Sequence, residues 1–249
     1  MSVWGKVIGG AAGFAMGGPI GALLGTIAGH AVDRMRNGGP GGANYGGASD
    51  GDSRQVAFTI AVIVLSAKMA KADGVVTRDE VDAFKQVFHI PPEEMKSVGA
   101  LFDEARQDAG GFEPYATQVA EMFAHEPAVL EELLGGLFHI AKADGVVHPA
   151  EVEFLQQVAV IFGFDGYTFD RIRASHIGDE DTDPYKVLGL SHQVSDNEVK
   201  DTYRKLSREN HPDTLIAQGM PQEFVDLANE KMAAINAAHD RIRKQRGLT

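Results

Sequence analysis

The chain has 249 residues, 44% of them hydrophobic and 23% charged, enough apolar material for one large or two small cores and too much for a disordered tail. It has no cysteine, which excludes disulfides and thiolate-held zinc or iron–sulfur centres. The formal charge of −12 is concentrated in the middle, since residues 50–182 carry 24 acids against 10 bases while residues 183–249 carry 10 of each; such a middle repels phosphates, so no nucleic acid is expected as a partner.

Residues 7–32 contain no Asp, Glu, Lys or Arg, a run longer than the roughly 20 residues with which a helix crosses a bilayer. Glycine recurs at every fourth position, Gly5, Gly9, Gly13, Gly17, Gly21, Gly25 and Gly29. In water such a helix is poor, each Gly costing about 1 kcal/mol against Ala, whereas in lipid small residues let two helices approach closely. The pattern predicts a membrane anchor over residues 1–36 that forms a homodimer through Gly9, Gly13, Gly17, Gly21 and Gly25. Two other readings stay open. Lys6 before the apolar run fits a secretory signal, although the run exceeds the usual apolar core of roughly 7–15 residues. Gly17-Gly18-Pro19 could instead turn the chain into a hairpin whose arms are too short to cross. Pro19 is tolerated in a spanning helix when neighbours satisfy the freed carbonyl, and Arg34 and Arg36 outnumber Lys6, which places the C-terminal side in the cytoplasm. Residues 37–53, dominated by Gly, Ser and Asn, have too little apolar side chain to pack and predict a flexible tether.

From 54 to 176 apolar residues recur at spacings of three and four in 56–70, 81–90, 95–105, 115–123, 129–141, 152–162 and 167–174, separated by Pro, Gly or Asp. This predicts an all-α bundle. It carries an internal repeat: K-A-D-G-V-V at 71–76 returns at 142–147, with Glu80 matched by Glu151, Val81 by Val152 and Phe84 by Leu155. Thr77 with Glu80 forms a capping box and His148-Pro149 with Glu151 opens a second helix, so both copies read helix, Asp-Gly turn, helix. The second half of an EF-hand loop is matched, but its first and third ligand positions would fall on Met69 and Lys71, and on Ile140 and Lys142 in the second copy, which cannot replace carboxylates. Asp73, Glu80, Asp144 and Glu151 remain a candidate set for one hard cation. The favoured reading of the same residues is as turn and capping groups.

After the acidic link at 178–182, Ser195 and Glu198 form a capping box that starts a helix. Val199, Tyr203 and Leu206 make its apolar face, and Lys200, Arg204 and Arg208, with Lys205 beside them, make a basic one. Pro212 disfavours helical geometry at His211 and cannot donate to the helical ladder, so a tight loop is expected at His211-Pro212-Asp213. A third helix after Pro221 offers Phe224, Leu227, Met232, Ile235, Ala238 and Ile242 to pack back on the second. No nucleophile elbow, P-loop or dinucleotide fingerprint is present, so no enzymatic activity and no cofactor are expected.

The duplicated K-A-D-G-V-V unit resembles the TerB-like helical fold, members of which carry acidic residues at these turns, sometimes linked to metal ions. Residues 183–249 resemble the J domain of DnaJ-type co-chaperones through Y-x-x-L-G at 185–189, Y-R-K-L at 203–206, His211-Pro212-Asp213, and K-x-x-x-I-N-x-A from Lys231 to Ala238. Ser207 and Asn210 stand where an alanine and an aromatic are frequent in that family, and His239 where tyrosine is frequent. The resemblance implies that Lys200, Arg204, Lys205 and Arg208 dock on a DnaK-type chaperone ATPase and that His211, Pro212 and Asp213 are needed to stimulate its ATP hydrolysis. The order of anchor, tether, TerB-like bundle (54–176) and terminal J domain (183–249) resembles the DjlA-type membrane-anchored co-chaperones along essentially the whole chain. That family implies a single pass through the inner membrane with the C-terminal domains in the cytoplasm, where ATP is available. The competing expectation is a metal or stress sensor whose TerB-like bundle is the active part.

Overall fold

The structure, a computed structural model, describes residues 18–23, 50–73, 81–82, 84–85, 89–107, 111–179 and 181–248. Among them every regular element is helical: α1 (Asp50–Asp73), α2 (Met95–Gln107), α3 (Glu113–Met122), α4 (Pro127–Ala141), α5 (Pro149–Ile161), α6 (Gly166–Ile177), α7 (Pro184–Leu188), α8 (Asp196–Glu209), α9 (Pro212–Ala217), a 3-10 turn at Gln222–Phe224, and α10 (Val225–Arg246). The chain is therefore all-α over these residues. Prolines punctuate it from within: Pro127, Pro149, Pro184 and Pro212 each open a helix, at the position where a missing N–H has no intrahelical partner to lose.

α1 is apolar all round, and a helix of that kind must be buried or lie in lipid. By length and composition its residues 53–71 could cross a membrane, but Val56, Phe58, Ile60, Ile63 and Leu65 are sealed inside the protein, with α2, α3, α4 and α5 packed around them. α1 begins at Asp50, four residues before the periodicity predicts. Part of the expected tether is thus helical. Of the expected anchor, residues 18–23 are described: they form a short helical stretch lying on α3. Ile20 and Leu23 are buried in the bundle, the Ile20 amide donates to Gln118 Oε1 at 3.0 Å, and Gly18 takes φ +65. Gly9, Gly13, Gly17 and Gly25 lie outside the described residues.

A second, smaller core joins Tyr185, Val187 and Leu188 of α7, Val199 and Leu206 of α8, and Ile235, Ala238 and Ile242 of α10. Here one expectation is corrected. Phe224 and Leu227 do not pack on α8. Phe224 enters the bundle core, edge-on to Phe58 of α1 with centroids 4.8 Å apart, and Leu227 lies against Gly136 of α4. The physical reason is length. α10 has 22 residues against 14 in α8, so its first turns run past α8 and bury their apolar face in the larger core.

Where α10 crosses α4 and α6, charges are buried together. Lys231 is 0% exposed, with its Nζ 2.9 Å from Glu132 Oε1 and 3.1 Å from Glu131 Oε2. Arg171 of α6 also pairs with Glu131. Burial pushes the Glu131 carboxyl up, but Lys231 and Arg171 outweigh it and hold the group below the usual carboxylate range. Glu132, completely sealed, is pushed up by burial with Lys231 opposing. His176 completes the cluster. Its ring fills the space that any side chain at Gly135 would need, its Nε2 is 3.9 Å from Glu132 Oε1, and burial, reinforced by Lys231, His139 and Arg171, pulls its pKa well below the ordinary value of 6.5.

The sign of the resulting pH dependence follows. Folded, His176 stays neutral, whereas unfolded it takes up a proton below about pH 6.5; the unfolded state then binds more protons and stability falls as pH drops through that window. Glu132 works in the opposite sense because its folded pKa is raised. The decisive comparison is therefore between the parent and His176→Leu: denaturant midpoints measured from pH 7.5 to 5.0 should fall less steeply in the variant. Equal slopes would remove His176 from the acid response.

Candidate functional site

α8 is placed by its ends. Ser195 Oγ accepts from the Glu198 amide at 3.3 Å, and Glu198 Oε2 accepts from the Ser195 amide at 2.8 Å, the reciprocal box the sequence predicts. These donors hold the Glu198 carboxyl below its ordinary range. Val199 and Leu206 face inward and Tyr203 is half-buried. Lys200, Arg204, Lys205 and Arg208 are all exposed, and Arg204 has only a loose, exposed contact with Asp201 at 3.9 Å. Steps of four residues advance about 40° beyond a full turn, so Lys200, Arg204 and Arg208 make one slowly drifting stripe. This stripe points to solvent and ends at the next feature.

Asn210 closes α8, its amide donating to Leu206 O at 2.9 Å and its Nδ2 to the same oxygen at 2.8 Å. His211 is then a single extended residue, φ −65 and ψ 132, that caps the following helix by accepting from the Asp213 amide on Nδ1 at 3.2 Å. The expected loop is thus one residue wide, and Pro212 opens α9 instead of merely ending α8. Pro212 is buried, while the side chains of His211 and Asp213 are 55% and 89% exposed, with His211 Nδ1 3.8 Å from Asp213 Oδ2. The proline acts as a plug that holds the imidazole and the carboxylate outward at a fixed spacing.

The support behind this surface was only partly predictable. Gly189 ends α7 at φ +63 with Arg171 laid across it, so the glycine of Y-x-x-L-G is needed both for conformation and for space. His239, where tyrosine is frequent, stacks on Tyr203 at 3.9 Å and 6°, and Tyr203 Oη donates to Asn236 Oδ1 at 3.0 Å. The exchange preserves an aromatic contact between α8 and α10. Arg246, one of several basic residues near the terminus, has no distinguishing local signal in the sequence. It donates to Tyr185 Oη at 2.7 Å, to Val194 O and Asp196 Oδ1 at 2.8 Å, and to His192 O at 3.1 Å, tying α7, α8 and the turn between them to the end of α10.

Of the four candidate cation ligands, the Glu80 position and the Asp73 side chain lie outside the description. In the second copy, Asp144 Oδ1 accepts from the Val146 amide at 3.1 Å and Oδ2 lies 3.4 Å from His148 Nε2, while the buried Glu151 caps α5 by accepting from the His148 amide at 2.8 Å. The Val146 amide is the main group holding the Asp144 carboxyl low. Both carboxylates thus serve a turn and a cap. Among the described residues no cluster of three or more His, Asp or Glu is placed to hold a metal ion.

Comparison with known proteins divides the chain in the same order as the geometry. Residues 1–50 match the family described as co-chaperone DjlA transmembrane domain, residues 59–174 tellurite resistance protein TerB, and residues 183–246 the DnaJ domain. Co-chaperone protein DjlA of Photobacterium profundum is 31% identical over 99% of this chain and 100% of its own length. Its counterpart in Coxiella burnetii is 30% identical over 98% of each chain, and that of Shewanella oneidensis 32% identical over the full length of both. No solved structure matches. With anchor, TerB-like bundle and J domain in this order, and relatives alike from end to end, the chain belongs to the DjlA family of membrane-anchored co-chaperones.

Proposed function

We propose that the chain recruits a DnaK-type chaperone through its J domain and stimulates that partner's ATP hydrolysis at the cytoplasmic face of the inner membrane. The observation that carries this is the continuity of the exposed basic stripe of α8 with the outward-held His211 and Asp213. The stripe supplies long-range attraction to an acidic surface and the loop supplies a polar group at fixed geometry, while the chain itself acts as a regulator and not as the catalyst. A partner that hydrolyses ATP places residues 183–249 in the cytoplasm. Residues 1–36 then form the anchor, and Gly9, Gly13, Gly17, Gly21 and Gly25 offer close approach to a second copy in lipid, which makes a homodimer. Insertion exchanges the burial of Ile20 and Leu23 in the bundle for burial in lipid, both apolar surroundings. The metal-sensing alternative draws no support from the second Asp-Gly turn, where both carboxylates are already engaged.

Docking through charge has a kinetic signature. Arg204→Glu changes an exposed side chain and should leave folding stability within about 0.5 kcal/mol. It should nevertheless slow association of the detergent-solubilised full chain with a DnaK-type chaperone, and the parent's own association rate should fall as salt rises, because exposed charges act over a Debye length of about 8 Å at physiological ionic strength. Stopped-flow mixing at several salt concentrations reads both. A salt-independent rate together with normal binding by Arg204→Glu would take the docking role away from α8.

A further inference from the structure

The segment that follows His211-Pro212-Asp213 touches α8 and α10 but buries its apolar side chains outside the J-domain core. Leu215, Met220, Phe224 and Ala228 belong to the core of the TerB-like bundle, and all four are buried. Gly219, at φ +110, brings its backbone so close to Arg54 and Phe123 that an added Cβ would stand 3.0 Å and 3.2 Å from them. Arg54 in turn pairs with Glu126 at 2.8 Å. The loop is therefore suspended between two cores: α8 is seated on the J domain through Val199 and Leu206, and α9 on the bundle through Leu215. One turn past the bundle-bound Ala228 comes Lys231, the lysine of K-x-x-x-I-N-x-A, closed between Glu131 and Glu132.

We propose that the TerB-like bundle is the positioning frame of the His-Pro-Asp loop, and that Lys231 is the positioning residue that registers α10, and with it α9 and the loop, on that frame. The inference deepens the co-chaperone reading and rests on it. A buried ammonium between carboxylates is a poor source of stability compared with apolar packing, but it is selective for one register, because any slip leaves a charge sealed without its partner. Along α10 the apolar contacts of Phe224, Leu227 and Ala228 with the bundle could be made at neighbouring registers; the Lys231 contact with two glutamates on one turn of α4 cannot. The basic stripe of α8 plays no part in this contact, so capture of the partner and action upon it are carried by separable parts of the molecule.

The test uses the full chain in detergent with a purified DnaK-type chaperone, reading single-turnover ATP hydrolysis as the co-chaperone is titrated. Lys231→Met removes the ammonium and leaves Glu132 sealed and unpaired. Lys231→Met with Glu132→Leu replaces the pair by apolar groups and keeps Arg171 on Glu131, an exchange that buried ion pairs commonly tolerate. The single variant should keep its half-saturating concentration within about twofold and lose maximal stimulation by about tenfold, since displacing an acting group by an ångström can cost up to about 10²-fold. The double variant should recover most of the maximum, and hydrogen exchange over residues 213–228 should rise in the single variant and return in the double one. Retained stimulation in Lys231→Met, with or without increased exchange, overturns the inference, as does a double variant that restores protection but not stimulation. A rise in half-saturating concentration with the maximum unchanged overturns it as well. Failure of the parent chain to stimulate is a different result and removes the co-chaperone reading itself.

Discussion

Phe224→Ala is expected to destabilise the TerB-like bundle and the J domain together. The ring is 1% exposed and meets Phe58 edge-on at 4.8 Å, with Phe123 a further 6.3 Å from Phe58. Truncating a buried phenylalanine costs about 3–5 kcal/mol through lost transfer energy and the cavity left behind. Because the residue belongs by sequence to the J domain and by packing to the bundle, the loss should appear in one cooperative transition. Urea unfolding of the full chain in detergent, followed by hydrogen exchange of α1 and of α8 separately, should show both regions shifted. A variant in which α1 loses protection while α8 keeps the parent's would mean that the two cores are energetically independent.

What could be read from the sequence was local. Helix spans follow from apolar spacing, and the capping box at Ser195 and the helix start at His148-Pro149 follow from residue types that favour one backbone geometry. The basic stripe of α8 was legible for the same reason, since it needs only helical periodicity and the absence of apolar residues on that face. Lys231 was not. In sequence it stands out only as the lysine of K-x-x-x-I-N-x-A, and nothing local marks Glu131 and Glu132 as its partners. Their burial depends on which turn of α10 lies over which turn of α4, a long-range fact that no local signal carries. Phe224 and Leu227 were assigned to the wrong partner because the spacing shows that a residue is apolar but not which core it enters. The helix after Pro212 was within reach. Proline at a first helical position is as good a signal of a start as of a stop, and His211 with Asp213 two residues later fits a cap. Arg246 illustrates the opposite limit: four hydrogen bonds to three segments converge on a residue that sequence alone places in a frayed, basic helix end.

On the proposed function, these two classes of residue would act at different points of the same event. The α8 stripe is exposed and its charges are nearly free, so it would govern how fast a partner arrives. The His-Pro-Asp surface is small and fixed from behind by the buried Pro212 and Leu215, so it would govern what happens after arrival. The measurement that addresses this most directly is single-turnover ATP hydrolysis by a DnaK-type chaperone in the presence of the detergent-solubilised full chain, with His211→Gln as the paired variant. His211 is 55% exposed and its contact with the fold is one hydrogen bond from the Asp213 amide, so the substitution should leave the helical circular dichroism unaltered. The account predicts clear acceleration by the parent and none by His211→Gln, with binding of the partner still salt-sensitive in both. Equal acceleration by parent and variant, or no acceleration by a parent that binds, would contradict it.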